Sequence, residues 1–365
     1  MKCVACVDAG TTNIQACLGL ITDKGPAEYV TVRNTQAIYG EDVVTRLAGS
    51  LKKPAIKEAV RKTILEDISS AVNSLLEKCR GGGECLERIV VCGNPVMHHI
   101  ILGLPLENLA YAPFEPAYKA KIFKTTVRGS GLHIKNEKAE FIFLPNIGGF
   151  VGSDALGVAA DTGMHRSSGA VLAVDLGTNG EILLGNKTKI VAASASAGPA
   201  FATNGVDFSL NASDAVDAVS ILLKNKDIET NGFMPFKEKI LRLRGKKIKI
   251  TQKDIRRIQL AKAAVRAGID ILRKHMPGEI KKVVLTGLFG SHVDVKKAVS
   301  IKLLPEDIGA RMVMVRERSA LCGAWKLAKS RDIDKDVRAI VSKIEHVELH
   351  KDPEFQDIFA GSMGF

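Results

Sequence analysis

The sequence predicts an α/β protein made of two copies of one unit. The pentad Val7-Asp8-Ala9-Gly10-Thr11 returns as Val174-Asp175-Leu176-Gly177-Thr178. Each copy closes an apolar strand-like run and precedes another. Each copy also sits in the same succession of three antiparallel strands, then helix, strand and helix. That order is the one of a ribonuclease-H-like lobe, here in tandem.

Along the chain, strands are expected at Cys3–Asp8, Ile14–Ile21 and Tyr29–Arg33. A long helix follows from about Ala55 to Lys78, with Ile56, Val60, Ile64, Ile68, Val72, Leu75 and Leu76 at helical spacing and Gly81-Gly82-Gly83 after it. Arg88–Cys92 is a strand, Gly93-Asn94-Pro95 opens a short helix, Glu140–Leu144 is a strand, and a small-residue helix covers Ser153–Asp161. The pattern then restarts with strands at Val171–Asp175, Glu181–Leu184 and Lys189–Ala193, and helices at Ser213–Leu223 and Lys253–Lys274. Thr251 and Asp254 form a capping box before the second of these helices. A strand at Lys282–Thr286 runs into Gly287-Leu288-Phe289-Gly290-Ser291, and helices cover Ser319–Lys329 and Ile333–Ser342. The expected division is a first lobe at 1–165, a second at 166–345 and a C-terminal tail at 346–365, with a cleft between the lobes that suits a cofactor.

Composition bounds the function. The chain has 365 residues, 46% hydrophobic and 25% charged, with a formal net charge of +12. No apolar run is long enough for a membrane span, and the N-terminus lacks a signal-peptide pattern, so a cytoplasmic, non-membrane protein is expected. Much of the basic excess lies in Lys237–Arg257. This favours anionic partners, but without interleaved aromatics it does not point to nucleic acid. Seven cysteines, an odd count, argue for reduced thiols. Cys3 and Cys6, three apart in a strand, point to opposite faces and read as core residues. No ferredoxin-type cysteine spacing occurs, so no iron–sulfur cluster is expected in this chain.

The pentads suit phosphate. Glycine at the bend of a hairpin lets backbone N–H groups approach an anion, and Thr11, Thr12 and Thr178 add hydroxyl donors. Asn13 follows the first bend, and Asn179-Gly180 closes the second. Asp8 and Asp175 repel phosphate directly but suit a hydrated Mg²⁺ held between them, which makes them catalytic and metal-site candidates. Gly287, Leu288 and Gly290, after a buried strand, let backbone pack against a base or ribose. Asp154, opening the helix after Gly148-Gly149, is a candidate general base or water-orienting group; the alternative is that Ser153 or Asp154 caps the helix. Ser194-Ala195-Ser196-Ala197-Gly198 ends a strand in small residues, a place for close approach or a tight loop. The histidines show no metal-binding spacing, and no corrinoid-binding D-x-H-x-x-G pattern occurs, so the chain is not expected to carry its own cobalamin.

Several segments resemble a known family. Asn146–Asp154, Val174–Ile182 (VDLGTNGEI), Ala195–Phe201 (ASAGPAF), Thr251–Ile258 (TQKDIRRI) and Val347–Phe359 (VELHKDPEFQDIF) are similar to reductive activators of corrinoid proteins, or RACo. These are ATPases of the actin-like ASKHA fold, two duplicated ribonuclease-H-like lobes around a nucleotide cleft. The resemblance covers nearly the whole chain, with 1–165 like the RACo middle region and 166–345 like its C-terminal domain. It implies ATP and Mg²⁺ as cofactors and a corrinoid protein as partner. It also implies ATP hydrolysis coupled to rescue of that partner's cobalt from Co(II) to Co(I). The family's N-terminal [2Fe–2S] ferredoxin-like domain precedes this part. Here the first hairpin begins at residue 8, so a separate low-potential, ferredoxin-like donor is implied. In the family a serine oxygen is proposed to ligate cobalt, which makes Ser194 and Ser196 the candidates. Three other readings fit the same fold: a small-molecule kinase, a nucleotide-gated binding module, and a cluster-bridged activator of 2-hydroxyacyl-CoA dehydratase type using Cys92 and Cys322. The oligomeric state is open, a homodimer included.

Overall fold

The computed structural model describes residues 2–40, 42–79, 81–177, 179–198, 212–290 and 292–365. The chain divides into two compact units, Met1–His165 with Arg318–His346, and Arg166–Glu317 with Val347–Phe365.

The first unit begins with the antiparallel strands β1 (Cys3–Ala9), β2 (Asn13–Leu20) and β3 (Glu28–Arg33). Helices α1 (Val43–Lys52) and α2 (Pro54–Leu76) follow, then β4 (Leu86–Gly93), α3 (Pro95–Leu102), α4 (Glu107–Ala110), β5 (Phe123–Thr126), α5 (Val127–Ser130), β6 (Glu140–Phe143) and α6 (Ser153–Thr162). The sheet order is β3-β2-β1-β4-β6-β5, with β4 parallel to both β1 and β6. β1 lies in the middle and is covered on both faces, so Cys3, Val4, Ala5, Cys6 and Val7 are all fully buried. A doubly covered strand reads as a continuous apolar run rather than an alternating one.

The second unit repeats this plan. It contains β7 (Ala170–Leu176), β8 (Gly180–Gly185), β9 (Ile190–Ala195), α7 (Ala212–Lys224), β10 (Glu238–Leu243), β11 (Lys246–Thr251), α8 (Gln252–His275), β12 (Ile280–Thr286), α9 (Gly287–Gly290), α10 (Val295–Ser300) and β13 (Val313–Val315). Its strands run β13-β12-β7-β8-β9, with β7, β8 and β9 antiparallel and β12 parallel to β7 and β13. The two sheets therefore share one order, an antiparallel meander followed by parallel strands on the far side of its first strand.

Local chemistry fixes the elements. Lys53 precedes Pro54 and is extended (φ −143°, ψ 117°), which separates α1 from α2 and puts the proline at the helix start. Asp42 caps α1 by accepting from the Thr45 N–H at 2.7 Å. The α2 face made by Val60, Ile64, Ile68, Val72 and Leu75 is fully buried, each side chain contributing about 1.5–3 kcal/mol of burial. The capping box of Thr251 and Asp254 is present at α8. Strands β10 and β11 form a hairpin that the basic composition of this stretch conceals. Its two-residue loop, Arg244-Gly245, has φ values of 49° and 79°, the all-positive geometry that matches strand twist.

Two segments sit differently from the sequence expectation. The expected second lobe, 166–345, includes residues that group with the first unit: α11 (Ser319–Ala328) and α12 (Ile333–Val341). The reason is a backbone-close crossing of α11 on α6. A Cβ on Gly323 would lie 1.8 Å from the Gly157 carbonyl oxygen, and one on Gly157 would lie 2.4 Å from the Ala320 oxygen. Asp161 secures the crossing, accepting from Ser319 Oγ at 2.8 Å and pairing with Lys326 Nζ at 2.7 Å. The expected tail, 346–365, is likewise integral to the second unit. Val347, Leu349 and Phe365 belong to its apolar core, and α13 (Phe355–Gly361) packs on α8. The last residues are tied down by Phe365 N–H to Thr230 O (2.7 Å), Gln259 Nε2 to Met363 O (3.0 Å), and Lys262 Nζ to Gly364 O.

The helix crossing yields a prediction. Gly323→Ala places a methyl where the Gly157 backbone lies, and the overpacking is expected to cost about 1–3 kcal/mol in urea unfolding despite alanine's better helix propensity. Unchanged or increased stability would show that the helices do not meet at these glycines.

Candidate functional site

The first bend joins β1 to β2 through Gly10, Thr11 and Thr12. A Cβ on Gly10 would sit 2.5 Å from the Asn13 carbonyl oxygen, so only glycine fits. Buried Asn34 holds the bend from behind: its side-chain amide donates to Gly10 O and its backbone N–H to Thr12 O, both at 2.9 Å. These bonds engage carbonyls that would otherwise repel an anion. Asn94 caps α3 through Met97 N–H and also donates to Thr11 Oγ1 at 3.1 Å. Since the Thr11 hydroxyl accepts from Asn94, its own hydrogen is left to donate.

Asp8 is one residue before the end of β1 and pairs in register with Gln15 and Cys92. Directly opposed residues of an antiparallel pair share a face, so Gln15 stands beside Asp8. Its Oε1 is buried with no hydrogen-bond partner among the described residues.

Asp154 belongs to the same neighbourhood. Ser153 Oγ accepts from Gly93 N–H and donates to Gly93 O, each at 3.1 Å, which fastens the start of α6 to the end of β4. A Cβ on Gly152 would fall 2.3 Å from Gly93 O, 2.6 Å from Asn94 Cα and 2.9 Å from Asp154 Oδ1, so this corner closes only around glycine. Ser153 therefore ties α6 to β4 rather than capping the helix. Asp154 keeps some exposed surface, but its enclosed carboxyl is pushed up to about 6 by burial, against backbone N–H bonds, including one from Ala155 at 2.8 Å, that pull it down.

The second bend joins β7 to β8, with Gly177 N–H donating to Asn179 O at 2.9 Å. Thr178 lies outside the described residues, as does the side chain of Leu288. Asp175 pairs in register with Glu181 on β8 and Thr286 on β12. Gly287 has φ 84°, and a Cβ there would meet Asp175 Oδ1 at 2.3 Å and Leu176 O at 2.5 Å. Gly290 packs behind it, its Cβ position 3.9 Å from Leu176 Cβ. The glycine-rich turn after β12 and the second acidic bend, remote in sequence, thus form one site within this unit.

Ser194 and Ser196 separate. Ser194 is opposite Glu181 in register and donates to its Oε1 at 3.4 Å, whereas Ser196, beyond the end of β9, is exposed. The rows Asp8–Gln15–Thr31 and Asp175–Glu181–Ser194 occupy corresponding positions in the two units. Gln15, Asn34, Asn94 and Glu181 did not emerge from the sequence as site residues. Gln15 and Glu181 could have been found by pairing each hairpin outward from its bend.

Comparison with known proteins agrees with this duplicated architecture. The model of the RACo middle region matches residues 3–167, and that of the C-terminal domain of RACo, the ASKHA domain, matches 169–235 and 223–365. The chain belongs to the RACo family. Its fold is accordingly the ASKHA fold. A corrinoid activation enzyme, RamQ, from Eubacterium limosum is 28% identical over 96% of this chain and 68% of its own length. A [Co(II) methylated amine-specific corrinoid protein] reductase from Methanosarcina barkeri is 31% identical over 35% of this chain and 25% of its own length. The solved structure of a reductive activator for corrinoid, iron-sulfur protein superposes with TM-score 0.86 at 26% identity, covering 100% of this chain and 66% of that one. The chain therefore spans about two thirds of the length of the activators it matches most fully. Among the described residues no helix is long and apolar enough to cross a membrane.

The raised carboxyl of Asp154 gives a signed pH prediction. The folded chain holds this proton more tightly than the unfolded one, so the contribution to stability is full below the unfolded value of about 4 and is lost as pH rises through about 6. Asp154→Asn removes the titration. The variant should gain on the wild type in urea midpoint between about pH 4 and pH 7, whereas a pH-independent difference would place the carboxyl in water.

Proposed function

We propose that this chain is an ATP-hydrolysing activator of a corrinoid protein. Nucleotide binding and turnover would set its affinity for a partner whose cobalt is returned from Co(II) to Co(I) by a separate low-potential, ferredoxin-like donor. The observation that carries the reading is the acid–glycine bend occurring once per unit, in the same strand position, in a chain of the RACo family.

The residues fit the nucleotide and its metal. Gly10 and Gly287 are places where only a glycine backbone fits, as a close anion contact requires. Gln15 Oε1, a buried acceptor beside Asp8 with no partner among the described residues, is what a metal-bound water would satisfy. Asp8 and Asp175 are assigned to hold Mg²⁺ through water. Gly10, Thr11, Thr12 and Asn13 in the first unit and Gly177, Thr178 and Asn179 in the second are assigned to the phosphates, with Gly287, Leu288 and Gly290 assigned to the nucleoside. When bound, Mg²⁺ neutralises charge developing on the transferred phosphoryl group. Asp154, with its carboxyl near 6, accepts the proton of the attacking water, and ADP and phosphate leave. Of the two serines, exposed Ser196 is better placed to reach a partner's cobalt than Ser194, whose hydroxyl is engaged by Glu181.

Two measurements test this. Asp154→Asn should keep ATP affinity but lower turnover by about 10²–10⁴-fold, and the wild-type rate should rise with pH through about 6; an unaltered rate removes Asp154 from the chemistry. Mixed anaerobically with a corrinoid protein in the Co(II) state and a low-potential donor, the chain should associate only with ATP present, and the visible spectrum should shift to Co(I). Nucleotide-independent association, or no cobalt reduction with any corrinoid protein tested, would overturn the function.

A further inference from the structure

All seven cysteines fall in the first unit, on two faces of its sheet. Cys6 and Cys17 face each other in register, and Cys6, Cys17 and Cys92 are fully buried. Burial, and then Cys17, push the Cys6 thiol well above its usual range, which suits a neutral core thiol. The other face is different. Cys3 at the start of β1, Cys79 just beyond α2 and Cys85 just before β4 bring their three sulfurs within 4.8 Å of one another. Cys3 and Cys85 form a disulfide, which corrects the expectation of reduced thiols throughout. The parallel register of β1 and β4 accounts for it by placing their Cα atoms 5.4 Å apart, across 82 residues of sequence. Cys79 Sγ rests 3.4 Å from Cys85 Sγ, although no disulfide needs a third sulfur there.

We propose that reduced Cys3, Cys79 and Cys85 form a three-thiolate site for one thiophilic d¹⁰ cation such as Zn²⁺, with the disulfide as its oxidised, metal-free state. A Zn–S bond of about 2.3 Å sets sulfurs bound to one ion about 3.8 Å apart, a spacing within reach of this cluster. Beside Cys79 and Cys85 lies a cavity of about 260 Å³, lined also by Asp23, Glu28 and Lys78. It has room for water or a carboxylate as fourth ligand, and Lys78, paired with Glu28 at 3.7 Å, offsets the charge of three thiolates. The conversion balances. A dithiol reductant supplies two electrons and two protons, the Cys3–Cys85 bond breaks into two thiols, and the reductant closes to its own disulfide. Metal binding then releases the protons of the three ligating thiols.

The test uses the full chain, reduced anaerobically with dithiothreitol and then freed of it, with Cd²⁺ alone as probe. One Cd²⁺ per chain and a near-ultraviolet thiolate-to-cadmium band are expected. Cys79→Ser and Cys85→Ser should each lose the band, Cys322→Ser should keep it, and air-oxidised chain should show it only after reduction. Cys79 lies outside the disulfide, so its variant decides the matter if Cys85→Ser fails to fold. A band that survives Cys79→Ser, or no band in the reduced wild type, would overturn the site.

Discussion

In each unit, the end of the first strand is pinned by a glycine from the parallel strand beside it. Gly93 ends β4 with its Cβ position 2.8 Å from the Ala9 carbonyl oxygen, and Gly287 follows β12 with its own 2.3 Å from the Asp175 carboxylate. No side chain fits at either place. The first strand can therefore carry its acid to within one residue of its end, and in the first unit the bend that follows is braced by the side chains of Asn34 and Asn94. The rest of the site hangs on this contact: Asn94 reaches Thr11 because it follows Gly93, and Asp154 is enclosed because Gly152 packs on Gly93 and Asn94.

Duplication explains why the same device occurs twice. Once a meander and a parallel strand fix the register, the acid, its opposed polar residue and the glycine arrive together. The two copies differ in the opposed residue, Gln15 in one and Glu181 in the other. The first unit offers its acid a neutral neighbour and the second a carboxylate.

Much of the fold was legible because its signals are local. The pentads, the helical spacing of α2, the Thr251–Asp254 capping box and the Gly93-Asn94-Pro95 opening each depend on a few neighbouring residues. The rest depends on packing across sequence. Nothing near Gly323 announces that α11 returns to α6, and Cys3 and Cys85 become neighbours only once β1 and β4 pair. The β10–β11 hairpin was hidden because Arg244-Gly245 is an unusual loop pair and its lysines read as surface charge. At the site the glycines and acids could be named from sequence, whereas Asn34 and Asn94, which brace the first bend from elsewhere, could not.

Phosphate binding is proposed to rest on a bend supported by glycine. The most direct measurement is titration of the full chain with ATP at millimolar magnesium, wild type against Gly287→Ala, with circular dichroism confirming that the variant folds. Saturable binding by the wild type is expected, with a marked loss of affinity when a methyl displaces the Asp175 carboxylate. Equal affinity in the two proteins, or no binding by either, would contradict it.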